Sequence, residues 1–496
     1  MPTDLLYTAA QTRTLDATAI DKSGIPGHVL MSRAAAALQR YLSRRWSQPG
    51  HVHVFAGTGN NGGDGWLLAE RMHRRGAEVT VYQLGDSGRI RGDALRARQM
   101  ALDNGVATQP WHVGCLRDAG GVIVDAMLGT GIGGEVRGDV ATAIGEINAS
   151  GLPVLAVDIP SGLCADTGRR LGSAVMADAT LTFIARKRGL YTLEGPDCAG
   201  DVAFDDLGVP ASVFTQVPPG ECWQRLDLGA ELVQLVPRPA ASHKGHYGQV
   251  LVIGGDHGLG GAVMLAAEAA LRSGAGLVRA ATRPAHLSAM LARTPEVMAA
   301  GVDSVHQLAP LLEAASVVVA GPGLGTGPWA QQLLLKALES GKPLVLDADA
   351  LNLMAADTAL ASRLPRGSML TPHPGEAARL LGRDSEAVQS DRFAAAQALC
   401  EQFQATVVLK GNGSLVAGPD ADISVGCYGN PGMASGGMGD VLSGISGGLM
   451  AQGLSATAAA RLGVCVHGAA ADAAAKDGQR GLLASDLLAP LRRLLG

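Results

Sequence analysis

Short, continuously apolar runs that stop at glycine recur along the whole chain, and they constrain the fold more than any other feature. In the first half they are HVHVFAGTG (His51 to Gly59), EVTVYQLG (Glu78 to Gly85), GVIVDAMLGTG (Gly121 to Gly131) and PVLAVDIPSG (Pro153 to Gly162). Runs that are continuous rather than alternating belong to strands covered on both faces, and the helix-length segments between them make those strands parallel. A doubly wound α/β sheet is the expectation. After ATLTFIARKRGLY and DVAFDDLGVP the chain becomes Pro-rich and irregular, and then the same grammar restarts with QVLVIGG, LVRAAT, SVVVAGPGLG, PLVLDADAL, SMLTPHPGE, ATVVLKG and SLVAG. The last third changes character: GGMGDVLSGISGGLMAQGL and ATAAARLGVCVHGAAADAAA read as two helices opened by a glycine run.

A chain of 496 residues exceeds what one hydrophobic core usually supports, so two α/β domains are expected, residues 1–213 and 241–496, with 214–240 as linker. With 47% hydrophobic and 17% charged residues the chain lacks the signature of disorder. A net charge of -5, and no basic run longer than Arg186, Lys187 and Arg188, argue against nucleic acid as a partner. The first residues, MPTDLLYTAAQTRTLDATAID, do not read as a signal peptide, and no uninterrupted apolar stretch is long enough to span a membrane. Seven cysteines, widely spaced and without a CxxC pair, suit reduced thiols, so a cytoplasmic protein is expected.

In parallel sheets ligands gather at the carboxyl ends of the strands, where TGNNGGDG, DAMLGTGIGG and DIPSG fall in the first half. In the second half, five of the residues from Gly429 to Asp440 (GNPGMASGGMGD) are glycine, directly ahead of a helix. Backbone N–H groups there can approach an anion, the helix dipole favours it, and Asp440 is placed to act as a base toward a hydroxyl. The blander readings are a flexible turn for the glycine run and an ordinary turn for Asn-Gly-Gly. For LDADALN the bland reading is a helix cap at Asp347 and a solvated Asp349. His373 lies between two prolines in TPHPGE, a rigid loop suited to substrate contact.

The glycine run ending in an aspartate, without a GxxxxGK[ST] loop, resembles the ribokinase-like superfamily. HKGHYGQVLVIGG, VVAGPGLG, LDADALN, LTPHPGE, VVLKGNGSLV and GNPGMASGGMGDVLSG, in that order, resemble the ADP-dependent NAD(P)H-hydrate dehydratases across nearly the whole second half. The resemblance implies that the hydroxyl of NADH or NADPH hydrated on its nicotinamide ring is phosphorylated by ADP and then lost as phosphate, leaving AMP, phosphate and NAD(P)H. It implies Asp440 as the base, Lys410, Gly411, Asn412, Gly413, Ser414 and Gly439 around ADP, and Ala262, Gly323 and His373 with Asp440 on the hydrated dinucleotide. Magnesium is expected with it, since phosphoryl transfer needs its charge neutralised.

GTGNNGGDG, DAMLGTGIGG and AVDIPSG together resemble the NAD(P)H-hydrate epimerases, a Rossmann-like family, over most of residues 1–213. That implies hydrate binding by Asn60, Asn61, Gly62, Gly63 and Asp64 and by Gly129, Thr130, Gly131, Ile132, Gly133, Gly134 and Glu135. Asp158 would contact substrate and serve acid/base chemistry, and Asn61, Asp125 and Ser161 would bind potassium through hard oxygens. Thr58 departs from the pattern where proline is expected, and no cationic catalytic partner can be assigned from this half. The implied protein is a homo-oligomeric bifunctional repair enzyme acting on small molecules. The alternatives are a vitamin-precursor kinase of the ribokinase-like class that leaves phosphate on its product, and a first half that only binds.

Overall fold

The computed structural model describes residues 4–217 and 223–496 and divides the chain into two compact units, Met1–Trp223 and Gln224–Gly496. Part of the expected linker, residues 218–222, lies outside the described residues. From residue 224 to 240 the chain belongs to the second unit, where helix Leu228–Leu232 is held by Arg461 on Glu231 at 2.6 Å.

The first unit is built on seven parallel strands: β1 (His51–Ala56), β2 (Glu78–Gln83), β3 (Ala107–Pro110), β4 (Val122–Ala126), β5 (Val154–Val157), β6 (Ala179–Phe183) and β7 (Asp201–Asp205). They lie in the order β3-β2-β1-β4-β5-β6-β7, so the chain reverses direction across the sheet between β1 and β4. Along each central strand successive residues enter opposite cores. Val52, Val54, Val124, Leu155 and Val157 face the helices Gly27–Arg45 and Asn60–Arg74, while Phe55, Ile123, Val154 and Ala156 face helix Gly138–Ala149. This two-sided burial is why the runs are apolar without alternation.

The second unit repeats the device with β8 (Gln249–Ile253), β9 (Leu277–Thr282), β10 (Met298–Gly301), β11 (Val317–Ala320), β12 (Leu344–Leu346), β13 (Met369–Leu370), β14 (Thr406–Leu409), β15 (Ser414–Gly418) and β16 (Ala421–Gly426). Their order is β10-β9-β8-β11-β12-β13-β14-β15-β16, parallel as far as β14, after which β15 and β16 turn back antiparallel. The switch of direction here falls between β8 and β11. The two helices expected from the last third are Met438–Ala451 and Ala456–Ala474, and they share one core with helix Gly260–Arg272 and with Val250, Val319, Val345 and Val408 of the sheet. Among the described residues no helix is long and apolar enough to cross a membrane.

Candidate active sites at two sheet rims

In the first unit the carboxyl ends of β1, β4, β5 and β6 open on a cavity of about 680 Å³ beside the reversal point, where open α/β sheets bind ligands. β1 passes through Gly57–Gly59 into helix Asn60–Arg74, and Asn60, Asn61, Asp64, Gly129, Thr130, Gly131, Ile132 and Asp158 all line the cavity. Gly62 and Gly63 sit behind it. A Cβ on Gly62 would stand 2.2 Å from the Gly57 carbonyl oxygen, so their smallness makes the turn rather than the lining. Gly133, Gly134 and Glu135 are exposed beyond the lining, and Glu135 instead pairs with Arg137 at 3.1 Å. Thr58 lines the cavity too.

Asp158 follows β5 with a left-handed backbone (φ 65°), a conformation that non-glycine residues keep only where surroundings enforce it. Its carboxylate accepts from the Phe183 N–H at 3.0 Å and the Thr182 hydroxyl at 3.2 Å, and it is ion-paired with Lys187. Lys187 is the cation that sequence reasoning could not find. Its Nζ is wholly buried and also donates to Thr182 Oγ1 and the Phe183 carbonyl, each at 3.0 Å. It sits in the basic run Arg186, Lys187 and Arg188, to which the sequence alone attaches no catalytic role. Three further carboxyls, Asp16, Asp64 and Asp93, line the same cavity. Burial lifts Asp16 to about 6, and burial reinforced by the charges of Asp158 and Asp16 holds Asp64 well above the ordinary carboxylate range.

Asn61, Asp125 and Ser161 come together. Asp125 is fully buried at the end of β4, where Ser161 donates to it through its hydroxyl at 2.5 Å and its N–H at 2.7 Å. The Leu128 N–H bonds the Ser161 hydroxyl at 2.9 Å, and Asn61 donates to the Leu128 carbonyl at 2.9 Å. Burial lifts Asp125 to about 6, against the pull of the Ser161 and Met127 donors.

In the second unit the rim is formed by the carboxyl ends of β8, β11, β12, β13 and β14. Gly437, left-handed at φ 92°, turns the glycine run into helix Met438–Ala451 and leaves Asp440 in its first turn. Asp347, at the end of β12, does not cap the helix that follows. It is buried, receives the Lys410 ammonium at 2.6 Å and accepts from the Ser443 hydroxyl at 2.6 Å. Asp349 likewise has a partner, accepting from the Gly325 N–H at 2.8 Å. Neither bland reading of LDADALN holds.

Gly439 packs against this pair, since a Cβ there would lie 3.2 Å from Lys410 Nζ and 3.4 Å from Asp347 Oδ2. Lys410 also approaches Glu376 at 3.8 Å. Desolvation opposes charge on both members of the Lys410–Asp347 pair, but their mutual attraction keeps Asp347 below and Lys410 above their ordinary values. Burial and the Asp347 charge push Asp440 the other way, up to about 7. One rim thus holds an ionised carboxylate, an ammonium and a second carboxyl poised near neutrality.

The left-handed Gly323 has its open side against Leu259 and Ala262, so Gly323 and Ala262 meet on this rim. His373 caps helix Pro374–Leu381, its Nδ1 accepting from the Gly375 N–H at 3.0 Å and the Glu376 N–H at 3.3 Å. It therefore has a structural task, while its half-exposed ring remains open to a ligand. Lys410, Gly411, Asn412, Gly413 and Ser414 form the turn between β14 and β15. Asp347, Ser443 and Glu376 were missed. A shared signal exists for Asp125, Asp158 and Asp347, each a carboxylate ending an apolar run (VIVDA, LAVDI, LVLDA) at the rim.

Fold and rims define an α/β enzyme in which each sheet rim gathers carboxyls around a lysine, Asp158 with Lys187 and Asp347 with Lys410. Residues 250–493 match the NAD(P)H-hydrate dehydratase family, and residues 27–189 match the family described as YjeF-related protein N-terminus. The chain is similar to the bifunctional NAD(P)H-hydrate repair enzyme of Coxiella burnetii, at 47% identity over 493 residues and 99% of each chain. It is 41% identical over 479 residues to that of Escherichia coli, across 96% of this chain and 91% of the other. A solved ribokinase-like superfamily protein from Enterococcus faecalis is similar to 55% of this chain and 94% of its own, with 30% identity and a TM-score of 0.51. The chain belongs to the bifunctional NAD(P)H-hydrate repair enzymes.

Proposed function

We propose that the first domain, residues 1–213, interconverts the R and S hydrates of NADH and NADPH, and that the second, residues 241–496, dehydrates the S form with ADP. The observation that carries this reading is the pairing of a near-neutral carboxyl, Asp440, with the Lys410–Asp347 ion pair beneath a glycine-rich helix start. Asp440 takes the proton from the hydroxyl as its oxygen attacks the terminal phosphorus of ADP. Lys410 and the N–H groups around Gly439 hold the phosphates, and AMP leaves. Hydroxide is a poor leaving group and phosphate a good one, so the ring nitrogen expels phosphate, the ring carbon next to the departing group gives up a proton to solvent, and the ring double bond of NAD(P)H returns. A kinase that stops at the phosphorylated product would use the same centre, which makes the product analysis decisive.

The rim suits a divalent cation, because Asp347, Glu376 and Asp440 lie around the Lys410 ammonium, Asp349 lies near Asp440, and these carboxyls would otherwise repel a nucleotide. Magnesium bound with ADP supplies the countercharge for the transferred phosphoryl group. Asp349, whose charge acts on Asp440, is the residue that would hold it together with the phosphates of ADP, which leaves Asp440 free as the base.

In the epimerase domain Asp158, fixed by Lys187, moves the protons as hydroxide leaves one face of the ring and returns on the other, with the hydrate along Asn60, Asn61, Asp64 and Gly129 to Ile132. Asp125 is a carboxylate whose pKa is raised by burial, and with Asn61, Ser161 and the Leu128 carbonyl it forms a hard-oxygen set fit for potassium. Exchanging potassium for a tetraalkylammonium salt is expected to slow epimerisation and leave dehydration of the S form unchanged. Equal rates in both salts would remove potassium from the reading. A cytoplasmic homo-oligomer completes it.

The test is to incubate the protein with mixed hydrates, ADP and magnesium, following the dihydronicotinamide absorbance together with AMP and phosphate. Recovery of absorbance from both epimers is expected. Accumulation of a phosphorylated hydrate without absorbance would identify a kinase and overturn the dehydratase assignment.

A further inference from the structure

Arg392 opens helix Arg392–Phe403 and is only 1% exposed. Burial alone acts on it, drawing its pKa down to about 10, with no neighbouring carboxylate among the causes, so it stays cationic at neutral pH. Its Nη2 donates to the carbonyls of Leu409 at 3.2 Å, Lys410 at 3.3 Å and Gly413 at 3.3 Å, at the end of β14 and in the turn that leads to β15. Gly411 lies directly over the guanidinium: its backbone is left-handed (φ 143°), and a Cβ there would stand 2.3 Å from Nη1. Its Nε has no hydrogen-bond partner. A buried cation answered only by carbonyl dipoles is costly to keep. A fold that needed only to fill this space would do so with an apolar side chain.

We propose that Arg392 is a positioning residue for the nucleotide, gathering three carbonyls beneath the Lys410–Ser414 turn and placing uncompensated positive charge under the bound phosphates. This rests on the reading that the turn holds ADP. Drawing the carbonyls inward fixes the turn's conformation before ADP arrives, and the charge beneath it is completed by the ligand's anion.

The test compares Arg392→Met and Arg392→Lys in the full chain. The Met variant is expected to raise the KM for ADP by about tenfold or more while kcat stays within about threefold, with part of the loss recovered by Lys. The rise in melting temperature on adding ADP should shrink in the same order. Epimerisation by the other unit reports that the protein is intact. If the Met variant does not fold, Gly411→Ala, which pushes the turn off the same guanidinium, is expected to raise the KM for ADP with kcat little changed. An unchanged KM for ADP, or equal losses in kcat and in the KM for both substrates, would overturn the proposal. Asn412→Ala and Ser414→Ala separate the two layers. If they leave ADP affinity unchanged, the nucleotide assignment of the turn fails; if they weaken it while Arg392→Met does not, the role of Arg392 alone fails.

Discussion

At the scale of single residues, both proposed centres depend on carboxyls whose partners are distant in sequence. Asp440 is raised to about 7 by burial and by Asp347, so in the free enzyme it is mostly protonated at pH 6 and ionised at pH 8. A base works only when ionised, so kcat/KM for dehydration is expected to rise with pH, about tenfold per unit below 7, and to level above it. A profile flat from pH 6 to 8 would mean that Asp440 is not that base. Lys187 makes the corresponding case in the first unit. Replacing it by Met leaves Asp158 without its buried cation, and a loss of about 10²- to 10⁴-fold in epimerisation is expected, with dehydration of the S hydrate retained. Comparing consumption of the R and S hydrates checks this, and equal loss with both would contradict it.

At the scale of elements, helix Met438–Ala451 shows why a glycine-rich segment is nonetheless a helix. Gly444, Gly447 and Gly448 lie where it crosses helix Gly260–Arg272 and the sheet: a Cβ on Gly444 would stand 2.1 Å from the Ala266 carbonyl oxygen, and one on Gly447 2.4 Å from a Val319 methyl. Helix propensity alone predicts that Gly444→Ala stabilises by about 1 kcal/mol. Overpacking against backbone predicts a destabilisation of about 1–3 kcal/mol instead, and the second is expected. Thermal or denaturant unfolding of the variant reads the sign directly. Element existence was legible from the apolar runs, because burial on both sheet faces writes itself into consecutive residues. The short strands β3 and β10 and the antiparallel return of β15 and β16 were not anticipated. ATQP is exposed along its whole length, and strand direction depends on tight turns more than on the apolar pattern.

At the scale of the molecule, each unit has its own hydrophobic core and its own proposed centre, so the two activities are expected to fail separately. Asp440→Ala should abolish dehydration of both epimers and leave their interconversion intact. Asp158→Ala should spare the S hydrate and leave the R hydrate to spontaneous epimerisation. Loss of both activities in either variant, in protein that unfolds normally, would show that the centres are not independent.

The sequence by itself determined the two α/β sheets, the glycine-rich turns at their rims and the family, because these are written in local runs and ordered motifs. Only the tertiary structure decided which charges meet. Lys187 lies in a basic run yet reaches Asp158 from another strand end, and Asp347 and Lys410 meet from 63 positions apart. Asp347 also exchanges an expected cap for a buried ion pair. Neighbours in a parallel sheet are joined through whole helices, so the partners at a rim are distant in the chain and no local pattern names them.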